Sequence, residues 1–163
     1  GTEVIMSIDG SKQKVRLPKG VKDGQKIRLR KKGRPGVNGG APGDLVITIH
    51  VGTHPVFTRD HDNLRIVLPV TFAEATLGAK IEVPLLDGSS VTVKVPAGTQ
   101  SGAVLRVRGR GVETSKTKGD LLIEVRVAVP KDLSDTQKAA LEGFIATLED
   151  SDPRAELLAK AKA

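Results

Sequence analysis

Apolar and polar residues alternate along most of the first 130 positions, and a period of two predicts β-strands with one buried face. The runs EVIMSI (3–8), KIRLRK (26–31) and DLVITIHV (44–51) show the pattern clearly. Glycines, prolines and the Asp-Gly pairs at 9–10 and 87–88 separate such runs, as expected for tight turns between strands. The first four fifths of the chain therefore read as a series of short, turn-connected strands.

The strand pattern occurs twice. Residues 15–33 read VRLPKGVKDGQKIRLRKKG and residues 93–111, which lie 78 positions later, read VKVPAGTQSGAVLRVRGRG. The identical pairs include the turn residues: Val15/Val93, Pro18/Pro96, Gly20/Gly98, Gly24/Gly102, Arg28/Arg106, Arg30/Arg108 and Gly33/Gly111. Segments 42–51 and 118–127 repeat as well, and so do 1–10 and 78–88. Prolines and glycines in register require the same backbone turns, so we predict two small β-units of one topology.

The second copy is preceded by LRIVLPVTFAEATLG (64–78), which reads as a strand followed by a short helical turn over 72–75. By repetition we expect a strand upstream of Gly1 that pairs beside residues 3–8. Without it, the first copy has an unpaired edge.

The period changes after Pro130. Ser134 with Gln137 three residues later has the spacing of a capping box. An apolar stripe then falls at i, i+3, i+4 and i+7, formed by Leu141, Phe144, Ile145 and Leu148. The pattern predicts a helix over 133–148, and Asp152-Pro153 predicts a second over about 154–161 with proline at its first position.

Composition narrows the chemistry. The 163 residues contain no cysteine, which excludes disulfides, thiolate catalysis and zinc–thiolate sites. Aromatic residues are limited to three phenylalanines, so Val, Leu and Ile must build the core. The net charge of +7 makes anionic partners a possibility to be weighed.

The segment THPVFTRDHDNLRIVLPVTFAEATLGAKIEVPLLDG (53–88) resembles the substrate-binding region of DnaJ-type J-domain co-chaperones, the heat-shock-protein-40 family. The resemblance rests on HPVFTR (54–59), NL (63–64), PVTFAEATLG (69–78) and VPLLDG (83–88), and residues 14–33 resemble the family's IPAGVKDGxxIRLxGKG stretch. It covers nearly the whole chain in the family's order. The family's His-Pro-Asp tripeptide is missing, and residues 7–14 run straight through the place of its CxxCxGxG zinc repeats.

The resemblance implies a mainly β fold: two tandem, small sandwich- or barrel-like domains of similar topology followed by short C-terminal helices. We expect a first C-terminal β-domain over 1–62, truncated at its start, a second over 63–130, and a helical dimerisation segment over 131–163.

The resemblance also implies that the first β-domain holds non-native polypeptide by strand addition at an apolar edge groove. Transferred by position, the groove residues are Val4, Met6, Ile8 and Ile47. The alternative is that Val4, Met6 and Ile8 are ordinary core residues of a half-buried strand.

For the tail, the family implies homodimerisation through Leu141, Phe144, Ile145 and Leu148. The stripe alone leaves docking on the chain's own domain as an alternative, and a dimer that serves only as a scaffold is another.

A cluster of cations over 26–34 has two interpretations. The family implies that Lys26, Arg28 and Arg30 could receive the acidic tail of a partner chaperone of the DnaK type. The alternative is a basic tandem β-module that binds nucleic acid or another polyanion, although no aromatic residue is interleaved for base stacking.

No other group of residues suggests chemistry. Asp60-His61-Asp62 could hold a metal ion only in a converging loop, and a turn before the strand at Leu64 is the alternative that we favour. The glycine-rich stretch 33–44 lacks the Lys and Ser/Thr of a phosphate-binding loop. We therefore expect no enzyme, no cofactor and no metal, but a cytoplasmic co-chaperone region that binds unfolded clients, forms a homodimer and delivers clients to a DnaK-type chaperone.

Overall fold

The computed structural model describes residues 1–8, 10–149 and 152–163, and within them it contains ten strands and three helices. The mainly β fold class is confirmed. The elements are β1 Thr2–Ile8, β2 Ser11–Leu17, β3 Lys26–Leu29, β4 Leu45–Thr48, β5 Thr58–Asp60, β6 Asn63–Thr71, α1 Phe72–Leu77, β7 Ala79–Pro84, β8 Ser90–Val95, β9 Val104–Val107, β10 Leu121–Ala128, α2 Asp135–Thr147 and α3 Ala155–Ala161. Residues 1–128 form one compact unit and residues 129–163 another.

The first copy of the repeat consists of two antiparallel pairs. β1 pairs with β2 along its whole length, with Val4 opposite Val15 and Met6 opposite Gln13. β3 pairs with β4. The predicted turn between β1 and β2 includes Asp9, which lies outside the described residues, while Gly10 has the positive φ of +81° that a tight turn requires.

The second copy has a larger core. β7 and β8 form an antiparallel pair, and a four-stranded sheet has the order β5-β6-β10-β9, with β6 parallel to β10. Every second residue of β6 is buried, as its alternating sequence predicts. These side chains form one cluster with residues of β7, β8 and β10: Leu64, Ile66, Leu68, Val70, Val83, Val93, Leu121, Ile123 and Val125. The absence of Trp and Tyr leaves this core aliphatic, with Phe57 at its margin.

Backbone hydrogen bonds reproduce the sequence repeat. Gly24 N donates to Ile49 O at 2.7 Å, and its counterpart Gly102 N donates to Val125 O at 2.7 Å. At the base of each long loop, Gly33 N donates to Gly43 O and Gly111 N donates to Gly119 O, at 2.8 and 2.9 Å. The two copies therefore share turns and strand pairing as well as residue types.

The structure changes two details of the sequence-based expectations. The strand that precedes the second copy, β6, pairs with β10 and not with β7, so repetition does not support a preceding strand beside residues 3–8. The short strand β5, which we assigned to the first domain, pairs with β6 in the sheet of the second copy. The division into two domains at residue 62 stays a prediction.

The unit 129–163 contains α2 and α3. Ser134 caps α2, and its hydroxyl accepts from Gln137 N while the Gln137 side chain accepts from Ser134 N, so the predicted capping box is confirmed. The second helix begins at Ala155 with Arg154 as its N-cap, so Pro153 precedes the helix and does not occupy its first position. Among the described residues, no helix is long and apolar enough to span a membrane.

Candidate functional site

The two faces of β1 differ. Val4, Met6 and Ile8 lie on one face and are half-buried, whereas Ile5, on the opposite face, is 65% exposed. β2 pairs with one edge of β1, and within the described residues the other edge has no partner strand. The predicted groove residues of β1 therefore share a face beside an open sheet edge.

The register of the paired strands identifies the counterparts of these residues in the second copy. Val4 faces Val15 and Ile81 faces Val93, so Val4 corresponds to Ile81, and Met6 and Ile8 correspond to the next alternate positions, Val83 and Leu85. Ile47 corresponds in the same way to Ile123.

Burial differs between these equivalent positions. Val83 and Ile123 have 0% exposure and Leu85 is buried, while Met6, Ile8 and Ile47 are only half-buried. The physical difference is β6, which lies beside β10 in the second copy and contributes four buried side chains to the core. The described part of the first copy has no strand in that place. Within the described residues, the same alternating pattern thus gives a closed core in one copy and a half-exposed apolar row in the other.

The three predicted cations, Lys26, Arg28 and Arg30, are exposed and alternate with half-buried Ile27 and Leu29. Arg28 is held by Asp44, with its Nε 2.6 Å from Asp44 Oδ2. Asp44 also accepts from the backbone N–H of Lys31 at 2.9 Å, and this hydrogen bond, together with Arg28, lowers the pKa of the carboxyl below its usual value of 3.8. Arg106 makes the corresponding ion pair with Asp120 at 2.9 Å. Arg28 therefore has a structural role, whereas Lys26 and Arg30 form no ion pair with any described residue.

The predicted stripe of the tail is exposed. Leu141, Phe144 and Ile145 are 42%, 41% and 54% exposed, Leu148 is also exposed, and no described residue of α2 is buried. Leu148 is the C-cap, with extended backbone, so it lies just beyond the last helical residue.

The remaining constellations are structural. His61 and Asp62 form the turn of the β5–β6 hairpin, as favoured from the sequence, and among the described residues no group of three His, Cys, Asp or Glu is arranged to hold a metal ion. His54 is a loop anchor, since its Nδ1 accepts the N–H groups of Val56 and Phe57 at 3.0 and 3.2 Å.

Sequence reasoning missed the joint between the two copies. A cavity of about 700 Å³ opens there, with an apolar lining that includes Val51, Phe57, Leu64 and Val112. Arg59 borders it and binds backbone oxygens of residues 20 and 21, nearly 40 positions earlier. A contact over such a separation leaves no periodic signal, and Arg59 was visible only as part of the resemblance at 54–59.

Comparisons with known proteins agree with the family expected from the sequence. The family model described as "DnaJ C terminal domain" matches residues 4–130. The chain is 54% identical over 149 residues to Chaperone protein DnaJ 1 of Streptomyces coelicolor, covering 91% of this chain and 37% of the relative. It is 49% identical over 140 residues to Chaperone protein DnaJ 2 of Cutibacterium acnes (85% and 37%) and 49% over 144 residues to Chaperone protein DnaJ 1 of Mycobacterium tuberculosis (86% and 36%).

The chain spans little more than a third of the length of these relatives. The prediction that it is not an enzyme agrees with these matches, which are to the DnaJ C-terminal domain and to proteins named as chaperones. With a family model that covers most of its residues, and relatives about half identical to it, the chain belongs to the DnaJ C-terminal domain family.

Proposed function

We propose that this chain is the client-binding region of a co-chaperone, which holds extended, apolar stretches of non-native polypeptide along β1. One observation carries the proposal: Met6, Ile8 and Ile47 stay half-exposed, although their counterparts in the second copy are buried. A partly exposed apolar row of this kind gains burial when an extended chain packs against it.

Strand addition supplies the binding energy and the breadth of specificity. The open edge of β1 offers backbone N–H and C=O groups to any extended chain, whatever its sequence. Alternate client side chains would then pack against Val4, Met6 and Ile8. The chain's one methionine is in this row, and its flexible, polarisable side chain adapts to differently shaped partners.

The test uses the two faces of one strand. We expect Met6→Asp, and more strongly Met6→Asp with Ile8→Asp, to weaken the binding of a labelled apolar peptide by at least about 30-fold, because an unpaired carboxylate in an apolar contact costs about 2 kcal/mol or more. Fluorescence anisotropy gives the dissociation constants, and circular dichroism checks that the variants remain folded.

Ile5→Asp is the matched control, since it makes the same chemical change one residue away on the exposed face. Its peptide affinity should stay within about twofold of the unsubstituted chain, as for most surface substitutions. Equal losses in Ile5→Asp and Met6→Asp, or no loss in either, would remove the assignment of the groove to this face.

The remaining parts of the proposal concern partners. We place homodimerisation on the α2 stripe, so that one particle carries two client grooves, and delivery of clients to a DnaK-type chaperone in the cytoplasm. Lys26 and Arg30 are the better candidates for contact with an acidic partner tail, because Arg28 is already paired with Asp44.

The dependence of binding on salt concentration distinguishes the proposed function from the alternative, in which the chain binds a polyanion. Binding to DNA or RNA should weaken log-linearly as salt rises, since each neutralised phosphate releases a counterion. Apolar peptide capture should change little over the same range. Tight, steeply salt-dependent binding of nucleic acid with no affinity for peptide would favour the alternative.

A further inference from the structure

Three segments meet at the joint between the repeat copies. One is the turn at Gly20–Val21, which follows β2 in the first copy. The second is the β5–β6 hairpin, and the third is the loop at 112–114 in the second copy. The contacts among them are polar and specific, which matters because tandem domains joined by small interfaces move relative to one another by default.

Arg59, on β5, connects the β5–β6 hairpin to the turn at Gly20–Val21. Its guanidinium donates to Val21 O and to Gly20 O, each at 2.9 Å, and to His61 O at 2.7 Å. Its Nη2 also lies 3.5 Å from Asp62 Oδ1. A planar, permanently charged group with five donors suits such a convergence of oxygens, and hydrogen bonds from a charged donor are stronger than neutral ones.

Asp62 extends the network into the second copy. Its Oδ2 accepts from Thr117 Oγ1 at 2.7 Å, and its backbone O accepts from Val112 N at 2.8 Å. The hairpin that carries Arg59 is therefore bound firmly on the side of the second copy, while Arg59 binds the first.

Gly20 is in close contact with the same loop. A Cβ built on Gly20 would lie 2.8 Å from Glu113 O and equally close to side-chain carbons of Thr114 and Val112. Beside it, Lys19 Nζ lies 3.3 Å from Glu113 Oε1. The counterpart glycine of the second copy, Gly98, has a similar positive φ, but its Cβ would meet nothing within 4 Å. The close packing at Gly20 therefore belongs to the joint and is not needed for the turn itself.

We propose that Arg59 is a positioning residue that, with Gly20, locks the first β-copy onto the second and so fixes where the client-binding strand points. The Gly20–Val21 turn follows β2 within three residues, and β2 pairs with β1 along its full length. A fixed turn thus fixes the β1–β2 pair. The consequence for clients rests on the proposed function, whereas the lock itself does not.

Distance measurements test the lock directly. The chain has no cysteine, so nitroxide labels can be attached at Lys12→Cys on β2 and Lys94→Cys on β8 without removing native thiols. In the otherwise unsubstituted protein, electron double resonance should give one narrow distance distribution. With Arg59→Ala we expect that distribution to become roughly twofold broader or more, as for copies joined by a flexible connection. A distribution as narrow as before would overturn the lock.

Matched variants separate the lock from general loss of structure. Arg65→Ala removes an arginine from the paired strand β6, whose ion pair with Asp60 stays within the hairpin, and should leave the distribution narrow. Gly20→Ala should broaden or shift the distance distribution. Gly98→Ala should not, because it introduces similar backbone strain but its Cβ meets no neighbouring atom. A label pair within the second copy, Lys94→Cys with Arg126→Cys, should stay narrow in every variant. Broadening of that pair by Arg59→Ala would mean unfolding, and would count against the positioning role.

Binding measurements with a short and a long client distinguish the positioning role of Arg59 from the proposed function. With Arg59→Ala, a short apolar peptide should bind as it does to the unsubstituted protein, because the β1 face is intact. A long unfolded client that engages two grooves should bind at least about tenfold more weakly, since linked binding gains up to 10²–10⁴-fold only when the geometry suits both sites. If no client binds even the unsubstituted protein, the proposed function fails and the distance result still decides the lock. If the lock breaks and long-client affinity is unchanged, its role in client binding is wrong.

Discussion

Lys31 and Gly109 occupy the same place in the two copies, two residues after the end of β3 and β9. Each backbone N–H donates to the aspartate that immediately precedes the next strand of the pair, Asp44 before β4 or Asp120 before β10, at 2.9 Å. Both residues have positive φ, +56° for Lys31 and +72° for Gly109. This conformation is free for glycine and costs a residue with a Cβ about 1–2 kcal/mol, so the first copy carries strain that the second avoids.

We therefore expect Lys31→Gly to raise the free energy of unfolding by about 0.5–1 kcal/mol, because the relief of strain exceeds the added entropy of glycine in the unfolded chain. Gly109→Ala should lower it by about 1 kcal/mol for the converse reason, as its new Cβ would make only an ordinary contact with Lys118. Urea titrations followed by circular dichroism measure both. Shifts of the same sign in the two variants would contradict the argument.

At the scale of elements, an Arg–Asp ion pair stabilises the strand pair beside the long loop in each copy: β3–β4 in the first and β9–β10 in the second. In the first copy Asp44 accepts from Lys31 N and from Arg28, and these contacts lower its pKa. A depressed pKa in the folded state means that the carboxylate contributes stability above its unfolded value near 3.8, and that this contribution is lost as the pH falls through the lower, folded value.

Asp44→Asn should therefore destabilise the chain at neutral pH and flatten the decline of stability between about pH 5 and pH 2. Asp62 and Asp87 have lowered pKa values through hydrogen bonds from Thr117 and Ser89, so part of the decline should remain. Arg28→Gln should remove less of the acid dependence than Asp44→Asn, because the hydrogen bond from the Lys31 N–H, the largest single cause of the lowered pKa, remains. Thermal denaturation across this pH range measures the acid dependence of each variant. A larger reduction in Arg28→Gln than in Asp44→Asn would contradict this prediction.

Periodicity predicted most elements because each depends on local chemistry. Alternation located the strands, paired glycines located the turns, and Ser134 with Gln137 located the start of α2. Which strands pair with which was harder to predict from the sequence. Nothing local to β6 shows that it lies parallel to β10, and the alternation in β1 is the same whether Met6 ends in a core or on an open face. That difference depends on whether another strand covers it, which is a property of the whole sheet.

At the scale of the molecule, the question is how many client grooves one particle carries. Under the proposed function, the described residues of one chain offer one such face, because Val83 and Leu85, the counterparts of Met6 and Ile8, are buried in the second copy. A homodimer through α2 would supply a second, and a long unfolded chain that presents two apolar segments could then gain avidity of 10²–10⁴-fold. The exposed stripe of α2 is suited to that role, since apolar side chains in contact across a helix pair lose their accessible surface together.

We expect Leu141→Glu with Ile145→Glu to convert the proposed dimer to monomers. Each change occurs twice in a symmetric dimer, and losing about 1.5 kcal/mol or more for each of four buried side chains should raise the dissociation constant by at least about 10⁴-fold. Ala139→Glu with Ala146→Glu adds the same charge on the opposite side of α2 and should leave the dimer intact. Sedimentation equilibrium gives the mass of each variant. If the Leu141/Ile145 variant keeps the mass of the unsubstituted chain, the stripe is not the dimer contact, and the second groove must come from elsewhere or not exist.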